Sequence, residues 1–258
     1  MKYLESKHKF LELLPSYLGH SGLLSQKDLD QGDTSQRVGT MFTLLVLLED
    51  QDLIDSVMKI IPAYGNSMDL LKASYGKYFR SPNPAYWGHD ARNMSRDQLS
   101  ILKQAMAAMN DKPRLLSVLV KQVLRLGFHQ NYYEADENRY HIPDIMSPNE
   151  VSVYARGLLG WLSYPITMIL DFSFLADIYL KVTKKSPVWD TDNMLAQNLL
   201  FACHRYPTHV AKYAMKKYLK TDFMFGLRNY HANPTYNMCE PLYHLFVMAF
   251  LKLERYSE

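Results

Sequence analysis

Apolar side chains recur every three or four positions along most of this chain, which is the spacing of one face of an α-helix. The pattern predicts helices over residues 3–13, 34–49, 51–61, 96–109, 113–126, 148–162, 166–182, 193–204, 208–219 and 239–255. In 96–109, for example, Leu99, Leu102, Met106 and Met109 step by three and four. Residues 38–48 are apolar almost all round, with Gln36, Thr40 and Thr43 as one narrow polar stripe. That helix is expected at the centre of the fold. No stretch alternates with period two for long enough to predict a strand.

The helix boundaries carry their own signals. Ser95 with Gln98 and Ser147 with Glu150 have the capping-box form, and Pro148 stands where a first helical residue needs no N–H. Asn237 with Glu240 is a weaker version, and Asp33 or Thr34 can cap the second helix. Short turns at Asp50, at 110–112 and at 205–207 alternate with four long segments read as loops, 15–32, 64–94, 127–146 and 220–238. Loops of that length are uncommon in compact domains and are often functional. Antiparallel helices put successive connections on opposite ends of an array, so this alternation gathers the long loops on one rim. The expected fold is therefore all-α: helical hairpins in an α/α-toroid-like array, open or reduced because the chain is short for a full ring. No linker divides the chain, so residues 1–258 are expected to form one domain.

Composition narrows the function classes. Hydrophobic residues at 48% and charged residues at 21% exclude a disordered chain. A net charge of +3 gives no electrostatic ground for a nucleic-acid partner. The lysines at 181, 184, 185, 212, 216, 217 and 220 read as a solvated face. The most apolar stretch, 157–180, is interrupted by Pro165, Asp171 and Asp177, so no membrane span is expected. The opening MKYLESKHKFLELL lacks the apolar run of a Sec signal, and Cys203 and Cys239 read as reduced thiols. A cytoplasmic location follows as an expectation, or a virion-associated one if the chain is phage-encoded.

Four segments concentrate chemistry. The first, Gly32-Asp33-Thr34-Ser35-Gln36-Arg37, enters the apolar helix. A charged Asp33 and Arg37 at the mouth of a buried helix either pair with each other or face a wet cavity. The second runs from Tyr86 and Trp87 through His89, Asp90 and Arg92 to Arg96 and Asp97 at a helix start. Aromatic rings that stack, beside Arg and Asp that hydrogen-bond, suit a polyhydroxylated or anionic small molecule or glycan. A loop tied down by its own ion pairs uses the same residues. The third, 129–144, holds two His, four carboxylates and three Tyr, but it has no HExxH, EF-hand or facial-triad spacing. The fourth, 228–237, adds Tyr230 and His231. No Walker loop, GxGxxG or GxSxG occurs, so neither a metal nor a cofactor is expected.

The motif Gly32-Asp33-Thr34-x-Gln36-Arg37-x-Gly39, followed by Trp87-x-x-Asp90-x-Arg92-x-Met94-Ser95-Arg96-Asp97-Gln98, resembles a pattern in uncharacterised bacterial and phage proteins. Those proteins are similar to α/α-toroid carbohydrate-active proteins. The resemblance covers about the first 110 residues and rests on two short motifs. It implies a toroid and a ligand site built from both motifs, and it carries no assigned mechanism.

Two readings follow. In the first, the chain is a glycoside hydrolase or polysaccharide lyase acting in a rim cleft. Hydrolysis needs two carboxylates about 5–5.5 Å apart for retention or about 6.5–9.5 Å apart for inversion. Asp33 and Asp97 are the candidates, with Asp90 in reserve. His89 and Tyr86 are the candidates for proton abstraction in a lyase, and Arg92 or Arg96 for neutralising a uronate. Trp87 is the stacking platform, and Arg37, Tyr230 and His231 complete the binding set. In the second reading, the chain is a non-catalytic interaction or assembly module. Its Tyr and Met suit contact surfaces, and Asp33, Arg37, Arg92, Arg96 and Asp97 form a structural salt-bridge network.

Overall fold

The computed structural model describes residues 3–25, 34–83, 96–126, 158–159 and 240–254. Within them the order is α1 (Tyr3–Leu13), a 3-10 turn (Leu14–Tyr17), α2 (Thr34–Leu48), α3 (Gln51–Met58), α4 (Tyr64–Leu70), β1 (Lys72–Ser74), β2 (Lys77–Tyr78), α5 (Arg96–Ala108), α6 (Lys112–Leu126) and α7 (Pro241–Glu254). The described structure is mostly helical. Its sheet is one antiparallel hairpin, with Lys72 opposite Tyr78 and Ser74 opposite Lys77.

Six of these helices fall where the apolar period places them, and their ends differ for local reasons. α2 stops at Leu48 because Glu49 takes a left-handed φ of 51°. α3 closes at Met58 rather than at 61. α7 starts at Pro241, so Glu240 stands before the helix and not in its first turn, against the weak capping pattern with Asn237. The segment 64–94, expected as a loop, contains α4 and the hairpin. α4 has 7 residues and no side-chain cap, and the strands have 3 and 2 residues. Elements this short do not complete a readable period. The hairpin turns through Gly76 at φ +64°, and a Cβ there would meet the Ser117 carbonyl oxygen at 2.4 Å. The turn thus seats directly on α6. The helices expected between 148 and 219 lie outside the described residues, apart from 158–159.

α2 is the centre of the described packing. It lies against α5 and α7; α7 also covers α1, and α6 folds back on α5. Its apolar girdle of Val38, Met41, Phe42, Leu44, Leu45 and Leu48 is buried. Gly39 permits the closest approach. A Cβ on it would meet Ile101 Cγ2 at 2.8 Å and the Ile101 carbonyl oxygen at 3.0 Å, so α2 and α5 cross backbone to backbone at this point. The buried Thr43 turns its hydroxyl back onto the Gly39 carbonyl, 2.8 Å away, and needs no other donor or acceptor there.

Both ends of α2 are closed by other parts of the chain. The Ser35 N–H donates to the Arg80 carbonyl at 2.9 Å. At the other end Lys252 Nζ donates to the carbonyls of Leu47 (3.1 Å) and Leu48 (2.7 Å) and pairs with Glu49 at 3.1 Å. A cation over the last carbonyls satisfies orphan acceptors and suits the helix dipole. Asp50 then caps α3, accepting from the Leu53 N–H at 3.0 Å, and binds α1 through Lys7 Nζ (2.8 and 2.9 Å) and the Tyr3 hydroxyl (3.0 Å).

Two measurements check this account. Gly39→Ala is expected to destabilise the protein by about 1–3 kcal/mol through overpacking, although alanine favours a helix by about 1 kcal/mol. Gly65→Ala in α4, where a Cβ meets nothing within 4 Å, is expected to be neutral or stabilising. Urea unfolding of the pair separates the close contact from propensity. The second concerns pH. Burial alone would raise the Asp50 pKa, but the bonds from Lys7, the Leu53 N–H and Tyr3 outweigh it and hold the carboxyl below the usual aspartate range. Its contribution is complete above the ordinary value near 4 and disappears as the pH falls through the lower folded value. Asp50→Asn is expected to cost about 1–2 kcal/mol at pH 7, and its difference from the wild type should close at low pH.

Candidate functional site

An arginine in the first turn of an apolar helix needs a counter-charge once that helix is buried. The fold supplies Glu240. Arg37 Nη1 and Glu240 Oε1 form an ion pair, with the side chains 11% and 1% exposed. Glu240 precedes Pro241, the first residue of α7, so the pair joins the start of α2 to the start of α7. Lys252, in the last turn of α7, reaches the end of α2. The two helices therefore lie side by side and run in the same sense, tied at both ends. Arg37 and Gly39 are two residues apart, about 200° around the helix, so the α7 and α5 contacts lie on different sides of α2.

The pair is not fully satisfied. The Arg37–Glu240 contact lacks the alignment of a hydrogen bond, and among the described residues Glu240 Oε2 has no hydrogen-bond partner. Four residues on, His244 is 2% exposed, on the same side of α7 as Glu240. Its ring stacks edge-on against Tyr243 at 5.2 Å. Arg37 and Glu240 thus place a cation and an anion side by side under α2, with acceptor capacity in reserve.

A second titratable cluster ties α4 and β2 to α6. Arg114 donates to Asp111 at 2.7 Å and to Asp69 at 2.9 Å. Asp111 also accepts from the Arg114 N–H, at 3.3 Å, just before α6. Burial pushes the Tyr78 phenol up to about 12 and raises that of Tyr64 as well. Both phenols stay protonated at neutral pH, so the cluster clamps elements together and offers no acid–base pair there.

The sequence-derived site residues meet this structure unevenly. Arg37 is described in full, and its partner is Glu240; Asp33, the partner weighed from sequence, lies outside the described residues. Arg96 and Asp97 are the first two residues of α5, as the Ser95 cap signal requires. Tyr86, Trp87, His89, Asp90, Arg92, Tyr230 and His231 also lie outside the described residues. So do the 129–144 loop, both cysteines and the lysine cluster. Glu240 was missed as a site residue. Its only sequence signal was the unmet need of Arg37 for a carboxylate, and a nearer candidate occupied that role.

Among the described residues no group of three or more His, Cys, Asp and Glu is placed to hold a metal ion. No described helix is long and apolar enough to cross a membrane. Comparison with family models, curated proteins and solved structures finds no match to this chain.

Arg37→Met strands the Glu240 charge and is expected to cost about 3–5 kcal/mol in denaturant unfolding. The double variant Arg37→Met/Glu240→Leu removes both charges and is expected to recover most of that loss. A double variant as unstable as the single one would show that the loss of Arg37 itself, and not the stranded carboxylate, sets the cost.

Proposed function

We propose that this protein is carbohydrate-active, a glycoside hydrolase or polysaccharide lyase. It works on a polyhydroxylated or anionic ligand where the two sequence motifs enter α2 and α5. The observation that carries the reading is the crossing of these helices at Gly39 and Ile101. Each crossing residue stands five positions after the first residue of its helix. At about 1.5 Å per residue, each start lies roughly 7–8 Å along its axis from the crossing. Thr34 and Arg96 are thus within about 20 Å of each other whichever way the helices run, a span of a few sugar rings. Asp33 directly precedes the one start, and Asp97 is the second residue of the other.

In this reading Asp33 and Asp97 are the paired carboxylates and Asp90 the reserve. His89 and Tyr86 serve proton abstraction if the reaction is elimination. Trp87 stacks on the ring, and Arg37, Arg92, Arg96, Tyr230 and His231 bind hydroxyls or a uronate. The scaffold is an open or reduced α/α toroid formed by residues 1–258, acting in the cytoplasm or, if phage-encoded, on the virion. A specific observation favours a second reading. Arg37 is engaged in a buried ion pair, which is how a salt-bridge network in a non-catalytic interaction module would hold it.

A mixed polysaccharide panel, assayed for binding and turnover with the wild type and Asp97→Asn, separates the readings. The expected result is turnover by the wild type and a loss of about 10²–10⁴-fold in the variant, with matching circular dichroism. A well-folded wild type that neither binds nor turns over any member would favour the interaction module, and a partner pull-down would follow.

A further inference from the structure

The hairpin seats on the start of α6 and leaves an uncovered surface beside it. Asp69, near the end of α4, reaches Arg114 at 2.9 Å, and Gly76 in the hairpin turn packs on the Ser117 carbonyl. Leu70, Tyr75 and Leu116 are the chain neighbours of Asp69, Gly76 and Ser117. They are 44%, 64% and 51% exposed. Three of the six exposed large apolar side chains among the described residues thus gather about the single turn 114–117 of α6.

The same place is basic. Residues 69–80 and 111–121 hold six Lys or Arg against two Asp, a local charge of +4 in a chain whose net charge is +3. Both aspartates, Asp69 and Asp111, are engaged by Arg114. Lys72, Lys77 and Lys112 make no ion pair among the described residues. Lys72 and Lys112 are exposed and Lys77 is half-buried. Exposed apolar groups rimmed by charge mark an interaction surface, and uncompensated cations select an anionic partner. A nucleic acid would meet the lysines and leave both leucines in water. A peptide strand needs a free edge to pair with, and β1 and β2 have only 3 and 2 residues. An anionic bilayer makes neither demand. Its headgroups attract lysines, its interface takes tyrosine rings, and its acyl boundary takes leucines.

We propose that this surface docks the protein on an anionic lipid bilayer. Leu70, Tyr75 and Leu116 enter the interface, and Lys72, Lys77 and Lys112 meet the headgroups. The contact is with one leaflet and involves no membrane span. It is independent of the carbohydrate reading above.

The test sediments the full-length protein with vesicles of phosphatidylcholine alone and with vesicles in which one lipid in four is phosphatidylserine. A fluorescent single-stranded oligonucleotide is the competing probe. The expected result is binding to the anionic vesicles only, weakened by added salt. Lys72→Gln/Lys77→Gln/Lys112→Gln is expected to bind them about 100-fold less tightly, since each lysine near such a surface is worth about fivefold. Tyr75→Ser keeps the charge and is expected to lose about tenfold. Should the triple variant fail to match the wild type by circular dichroism, Lys72→Gln/Lys112→Gln alters only exposed side chains and is expected to lose about 30-fold. No binding to the anionic vesicles, equal binding to both kinds, or a folded variant that binds like the wild type overturns the proposal. Oligonucleotide binding without vesicle binding also overturns it, and assigns the surface to nucleic acid if the lysine variant abolishes it.

Discussion

A helix that is apolar on every side can be buried only if its two ends are satisfied from outside, and α2 imposes that condition on the rest of the described structure. Its side chains find partners on all sides, so its own surface does not fix a unique orientation. The ends do. The Arg80 carbonyl meets an N–H of the first turn, Arg37 near the start takes Glu240, and the last carbonyls take Lys252. Two of these three groups flank or belong to α7, from the far part of the chain. The central helix is therefore secured by contacts of high sequence separation. Such contacts form only after a large loop-closure entropy has been met.

The same reasoning explains why α5 and α7 can both lie against α2. A glycine at the crossing lets one neighbour approach to backbone contact, and the long arginine reaches the other. With alanine at 39, the α5 contact would open by a few tenths of an ångström at Ile101, and the interdigitation beyond the crossing would loosen with it. Asp50 does comparable work below α2. One carboxylate ends the turn after Glu49, starts α3 and holds α1 through Lys7 and Tyr3. A single residue between two helices thus sets the direction of three.

The parts of this fold legible in the sequence are those that local physics dictates. Helix periods longer than two turns, the central place of 38–48 and the start of α5 after Ser95 all follow from spacing and caps. α4 and the hairpin were not legible, because seven residues and two- or three-residue strands fall below the length of a period. The environment of α5 was misjudged for another reason. Its apolar positions Leu99, Leu102, Met106 and Met109 read as one face. The structure buries Lys103 and Gln104 completely and leaves Met109 37% exposed. Periodicity reports what a helix would bury alone and cannot report neighbours that arrive on its polar side.

The candidate site shows the same limit in charge space. Sequence spacing offers Asp33 as a partner for Arg37, and Asp33 lies outside the described residues. The fold brings Glu240 to Arg37 from another helix, a pairing that no local rule contains. Yet a buried pair of this kind is a poor means of stabilising a protein. Two apolar side chains of similar volume would serve the α2–α7 interface at least as well, because the attraction between the charges is set against the desolvation of both. The aligned geometry that would offset that desolvation is absent here, since the contact lacks hydrogen-bond alignment and one carboxylate oxygen is unmatched. Stability alone therefore does not account for the pair. What does distinguish it from an apolar contact is a donor and an acceptor held side by side with spare capacity, in the turn that follows Asp33.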